Sequence, residues 1–78
     1  MQTEVKLPQF GMGMSEAEVL EWFVAEGAHV EEGADLVEVE AEKAREVLPA
    51  PVSGTLVRIH AQVGDVVEIR AVLGVIEA

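Results

Sequence analysis

The feature that most constrains this chain is that it repeats itself. Gly27, Val30, Leu36 and Val39 return as Gly64, Val67, Leu73 and Ile76, always 37 positions later (64 − 27, 67 − 30, 73 − 36, 76 − 39). The chain has 78 residues, so the interval is close to half its length. A unit of that size cannot bury its own apolar face, but two such units packed face to face bury both. The repeat therefore predicts a pseudo-twofold β-sandwich. The length allows one domain, 1–78, with a thin core.

The local pattern agrees with β structure almost throughout. Val5 and Leu7 alternate with polar residues up to Pro8. Val19 to Val24 carries Val19, Leu20, Trp22 and Phe23, all strand formers. From Leu36 to Ala41 the parity is sharp: Val37, Val39 and Ala41 alternate with Glu38, Glu40 and Glu42. Val47–Leu48, Thr55–His60, Val66–Ile69 and Val72–Ile76 complete the set, punctuated by glycines and prolines. One stretch reads as helical: Ser15-Glu16-Ala17-Glu18, where a capping serine could open a single turn.

Composition removes several classes of function. A formal charge of −10 repels phosphate, which argues against nucleic acid or an anionic membrane as partner and favours a basic protein surface. No apolar run approaches the roughly 20 residues of a membrane helix. Met1-Gln2-Thr3-Glu4 has neither the basic start nor the apolar stretch of a signal peptide. Cysteine is absent, which fits a reducing compartment. These features together give the expectation of a cytoplasmic protein, or of the mitochondrial matrix if it was cut from a longer eukaryotic precursor.

Lysine is rare here: only Lys6 and Lys43. Strands 36–41 and 44–48 are separated by so few residues that they can pair as a tight hairpin, with Lys43 at its tip. A catalytic lysine needs a depressed pKa, but Glu40, Glu42 and Glu46 favour the ammonium form. The position therefore suits an amine modified by a separate enzyme, or an ordinary solvated lysine. No other catalytic group stands out. His29 and His60 have no matched ligand pattern, so no metal site is expected. Gly11-Met12-Gly13 lacks the third glycine and following helix of a dinucleotide fingerprint. Trp22 and Met14 are expected to fill core space, and Met12 is left open.

The residues around Lys43 add a more specific reading. Glu38-Val39-Glu40-Ala41-Glu42-Lys43-Ala44 resembles the central motif of the lipoyl-carrying domains of 2-oxo acid dehydrogenase complexes. Leu7-Pro8, Gly11, Met14, Trp22, Gly27, Gly33, Pro51 to Leu56 and Gly64 to Val67 extend the resemblance over nearly the whole chain. The resemblance implies an all-β fold, a flattened barrel-sandwich hybrid of two four-stranded antiparallel sheets with quasi-twofold symmetry. It implies a non-catalytic carrier, part of a dihydrolipoyl acyltransferase, with lipoic acid in amide linkage on Lys43. Glu40, Ala41, Glu42, Ala44, Gly11 and Met12 would then be recognition residues.

The implied partners are a lipoate ligase or lipoyl transferase, a thiamine-diphosphate dehydrogenase component, an acyltransferase catalytic domain and a flavin dihydrolipoyl dehydrogenase. The arm would be reductively acylated, relieved of its acyl group by coenzyme A, and reoxidised. The sequence departs from the family pattern in three places. Ala41 stands where threonine is common, Glu42 where aspartate is common, and Glu16-Ala17 where Glu-Gly is usual. Biotin-carrying relatives place methionine on both sides of the lysine, whereas here the neighbours are Glu42 and Ala44. Two alternatives stand beside the lipoyl reading: a biotin carrier of a carboxylase, and an unmodified structural or adaptor module.

Overall fold

Alternating side chains decide the elements. A computed structural model describes residues 1–42 and 44–78, and Lys43, the expected attachment residue, lies outside the described residues. Eight strands follow one another: β1 Gln2–Lys6, β2 Glu16–Trp22, β3 His29–Val30, β4 Asp35–Ala41, β5 Ala44–Pro49, β6 Gly54–Ile59, β7 Val66–Glu68 and β8 Val72–Glu77. All pairings are antiparallel. One sheet has the order β1-β8-β6-β3 and the other β5-β4-β2-β7. The two sheets form a flattened sandwich, 33 × 20 × 17 Å, and do not close into a barrel.

The repeat is real in three dimensions. Exchanging β1–β4 with β5–β8 turns one sheet order into the other. Loop hydrogen bonds repeat as well. The Gly27 amide donates to Leu56 O at 2.6 Å, and the Gly64 amide to Val19 O at 2.8 Å. Phe23 N–H donates to Leu36 O at 2.9 Å, and His60 N–H to Leu73 O at 2.8 Å. Both central pairs also bulge at equivalent places: the register shifts between Val19 and Glu21 and between Leu56 and Arg58, so Leu20 and Val57 go unpaired. Such bulges increase local twist and help each sheet wrap over the other.

The halves do not, however, pack as two separate faces. Each sheet takes its central pair from one half and its edge strands from the other. A two-stranded sheet is too narrow to cover a core, so the halves interleave. The helical expectation for 15–18 also fails, because Glu16 and Ala17 open β2. Glutamate and alanine are good helix formers, but pairing with β4 and β7 on both sides overrides that weak preference. β2 ends at Trp22 rather than Val24, and β3 is a two-residue strand that alternation could not show.

The core lies between the sheets, built from Leu7, Val19, Leu36, Val37, Val39, Leu56, Leu73 and Ile76, all at or near zero exposure. Trp22 and Met14 pack against it. The Trp22 indole donates from Nε1 to Ala61 O at 2.7 Å, so its one polar atom is satisfied.

One departure from twofold symmetry sets the two ends of the molecule apart. Leu7 N–H bonds Ala71 O at 3.0 Å, and Ala50 N–H bonds Ala34 O at 2.9 Å, which makes Leu7 and Ala50 equivalent. They are 43 positions apart (50 − 7) rather than 37, so the first half carries six additional residues between Leu7 and β2. The chain termini meet elsewhere: Gln2 pairs with Glu77, and Ala78 N–H donates to Met1 O at 2.9 Å. From there β1 leads the chain toward the enlarged loop.

Candidate functional site

The β4–β5 hairpin is paired to its very end. Asp35 faces Pro49 at its base, Glu40 faces Arg45 and Ala41 faces Ala44, leaving two positions for the connection. A connection that short needs left-handed backbone, and Glu42 supplies it with φ of 45°. Glutamate is a poor choice on conformational grounds, because an L side chain in that region costs on the order of 1–2 kcal/mol. Glu42 is exposed, Ala44 half-buried and Ala41 buried. The stem is thus anchored in the core while Glu42 stands in solvent.

Residues 11–15 of the enlarged loop border the same groove as the end of this hairpin. Gly11, Met12, Glu40, Ala41, Glu42 and Ala44 all line one groove of about 720 Å³. The structure therefore places the six candidate recognition residues along one groove; Glu46, Trp22, His29 and His60 lie outside it. Met14 also borders the groove but turns partly into the core, whereas Met12 is fully exposed.

Sequence reasoning missed the other wall. Glu16, Ala17 and Glu18 of β2 and Val66 of β7 complete the groove. The signal was present as alternation, Glu16 and Glu18 out, Ala17 and Val19 in, but a helical reading of 15–18 conceals it.

The register makes this face strongly acidic. Glu18 lies opposite Glu40, Glu21 opposite Glu38, and Glu16 opposite Glu68. Like charges directly across a ladder are destabilising, by roughly 0.2–1 kcal/mol each. Arg45 offsets one of them, its Nε standing 3.3 Å from Glu40 Oε2. That pair is exposed and contributes under about 1 kcal/mol.

No histidine borders the groove. His29 sits on β3 in the opposite sheet, 2.6 Å from Glu31, and both are exposed. Among the described residues there is no cluster of three or more metal-ligating side chains. What the geometry provides is a paired stem anchored in the core, an exposed Glu42 and an acidic groove beside it.

Comparison with known proteins narrows the identity. A family described as biotin-requiring enzyme, the biotin/lipoyl family, matches residues 3–76. The chain is 42% identical, over all 78 residues, to the dihydrolipoyllysine-residue succinyltransferase component of the 2-oxoglutarate dehydrogenase complex of Bartonella vinsonii subsp. berkhoffii, covering 19% of that protein. It is 39% identical over 72 residues to the dihydrolipoyllysine-residue acetyltransferase component of the acetoin cleaving system of Cupriavidus necator, covering 92% of this chain and 19% of that one. The acetyltransferase component of the pyruvate dehydrogenase complex of Staphylococcus aureus is 37% identical over the whole chain, which covers 18% of it. The chain thus spans about a fifth of the length of these curated relatives.

Solved structures show the same architecture in carboxylases. A single-chain, multi-domain long-chain acyl-CoA carboxylase superposes with a TM-score of 0.77 at 31% identity, over 95% of this chain and 7% of the other. Kluyveromyces lactis urea carboxylase gives 0.81 at 26%, over 99% and 6%. With residues 3–76 matched and relatives aligned along its whole length, this chain belongs to the biotin/lipoyl attachment-domain family.

Proposed function

We propose that this is a lipoyl carrier domain that accepts lipoate on Lys43 and shuttles acyl groups and reducing equivalents within a 2-oxo acid dehydrogenase complex. The observation that carries this reading is the hairpin closed by the Ala41–Ala44 pair, with exposed Glu42 directly before the lysine. Small residues on both sides of the turn leave room for a ligase to approach. Relatives named as dihydrolipoyllysine-residue acyltransferase components align along the whole chain, which favours lipoate over biotin. Ala44, where biotin carriers place methionine, points the same way.

The residues present fit such a group. When bound, a lipoyl group would supply a dithiolane able to take up two electrons and an acyl group. The chain's own contribution is placement. Core residues Val37, Val39 and Ala41 anchor β4, the strand that leads to the lysine, in the sandwich. Glu16, Glu18 and Glu40 present a negative face that would steer a basic partner surface toward the same end. Tethering raises the effective concentration of a carried group at each partner site. The partners are a lipoate ligase or transferase, a thiamine-diphosphate dehydrogenase component, an acyltransferase domain and a flavin dehydrogenase.

The carboxylase neighbours keep a biotin carrier as the second reading. Intact mass after incubation with lipoate ligase, lipoate and ATP, and in parallel with biotin ligase, biotin and ATP, separates the two. The lipoyl reading expects one lipoyl addition, lost in Lys43→Arg while the circular dichroism spectrum is retained. Biotin incorporation alone, or lipoyl transfer persisting on Lys6 in that variant, would sink it.

A further inference from the structure

The enlarged loop places a thioether where its twofold-related connection, Pro51 to Ser53, has none. The second half passes from Ala50 to β6 through Pro51, Val52 and Ser53, while the first half inserts Gly11-Met12-Gly13-Met14 on the way to β2. Met12 is the most exposed large hydrophobic residue in the chain, at 104%, and lies between two glycines. Gly13 has φ of 76°, and a Cβ placed there would meet nothing within 4 Å beyond its chain neighbours. Met14 packs against the core. Met1 is 91% exposed but sits at the termini, away from the groove.

An exposed thioether is the part of this cysteine-free chain most open to two-electron oxidation. Met12 is also the most exposed apolar side chain on the groove wall, beside Ala17, Ala41, Ala44 and Val66. We infer that Met12 is an oxidative modification site, at which a peroxide forms the sulfoxide and thereby weakens engagement of the groove by the enzyme that modifies the hairpin. A lone pair on Sδ attacks one peroxide oxygen, the S–O bond forms as the O–O bond breaks, and the departing hydroxide takes the proton from the sulfur-bound oxygen and leaves as water; sulfur is oxidised by two electrons and the peroxide reduced. The product replaces an apolar wall with a strong dipole and a chiral sulfur. Methionine sulfoxide reductases reverse the change, so it can act as a switch rather than as damage alone.

The functional half of this inference rests on the lipoyl carrier reading. The test treats the full chain with hydrogen peroxide, follows each methionine by peptide mass spectrometry, and measures the initial rate of lipoylation by lipoate ligase before and after oxidation. Met12 is expected to oxidise several-fold faster than Met14. The oxidised-to-unoxidised rate ratio is expected to fall several-fold in the native chain and to stay near unity in Met12→Leu, which still oxidises at Met1. Amide resonances of Ala41, Ala44 and Val66 should shift on oxidation of the native chain only. Equal oxidation of Met14 and Met12, an unchanged rate ratio, or the same fall in Met12→Leu overturns the inference. Should the unoxidised chain accept no lipoate, the carrier reading fails. The oxidation order and amide shifts then decide whether Met12 is a modification site of the groove.

Discussion

Replacing Arg70 by glycine should make this protein more stable, and the internal repeat supplies the control. Arg70 has φ of 74°, a conformation that L side chains rarely adopt. Its twofold mate is Gly33, at φ 87°. Their backbones do the same work: Arg70 N–H donates to Leu7 O and Gly33 N–H to Ala50 O, each at 2.8 Å. Both bonds survive exchange of the side chain. The Arg70 side chain is exposed and makes no ion pair among the described residues. Left-handed backbone costs an L-residue on the order of 1–2 kcal/mol. Glycine returns about 0.5–1 kcal/mol of that through its larger unfolded-state entropy.

The net expectation for Arg70→Gly is a gain of about 0.5–1 kcal/mol, from the difference of those two effects. In a domain of this size that raises Tm by about 2–8 °C. The reciprocal change, Gly33→Ala, meets no atom within 4 Å and so should lose stability through backbone strain alone. Urea denaturation of both variants reads the two values directly. The reasoning is refuted if Arg70→Gly loses stability while Gly33→Ala is neutral. That outcome would mean the arginine side chain makes a contribution its exposure conceals.

Three further outcomes follow from packing and charge. Gly74→Ala should lose about 1–3 kcal/mol, because the added Cβ would lie 2.8 Å from Arg58 O and 3.2 Å from the Trp22 ring; urea melts followed by Trp22 fluorescence measure it. Glu18→Gln removes one side of the Glu18–Glu40 repulsion and should gain roughly 0.2–1 kcal/mol by the same melts, while slowing encounter with a basic partner in stopped-flow binding. With a net charge of −10, raising the salt concentration should increase Tm by screening self-repulsion, and a Tm that falls with moderate sodium chloride would contradict this.

The sequence carried the fold in its spacing more than in its propensities. Gly27 and Gly64 mark equivalent turns with nearly identical φ, 96° and 95°, and their common offset with the apolar positions is what makes the twofold legible in one dimension. The parity of Val37, Val39 and Ala41 against Glu38 and Glu40 gave the hairpin stem and the faces of its side chains. What could not be read was how the halves interleave. Edge exchange depends on which strand covers which flank, and no local pattern encodes that choice. β3 was invisible for a related reason, since two residues cannot display an alternation. Glu16–Glu18 misled because its composition suits a helix while its neighbours impose a strand. The β4–β5 hairpin was legible because its residues are contiguous. The groove's far wall, with Val66 brought in from β7, was not.

The twofold has one more consequence. Rotating the molecule carries β4 and β5, joined at the hairpin, onto β8 and β1, which meet where the chain begins and ends. The open seam between Met1 and Ala78 is the hairpin's counterpart, drawn without its connecting turn. A short bridge across that seam would make a circle, and the sandwich would then have no preferred place to be cut. The six-residue insertion beside the hairpin would still tell the two poles apart. In this fold, stability belongs to the symmetric body, and identity to one loop that breaks the symmetry.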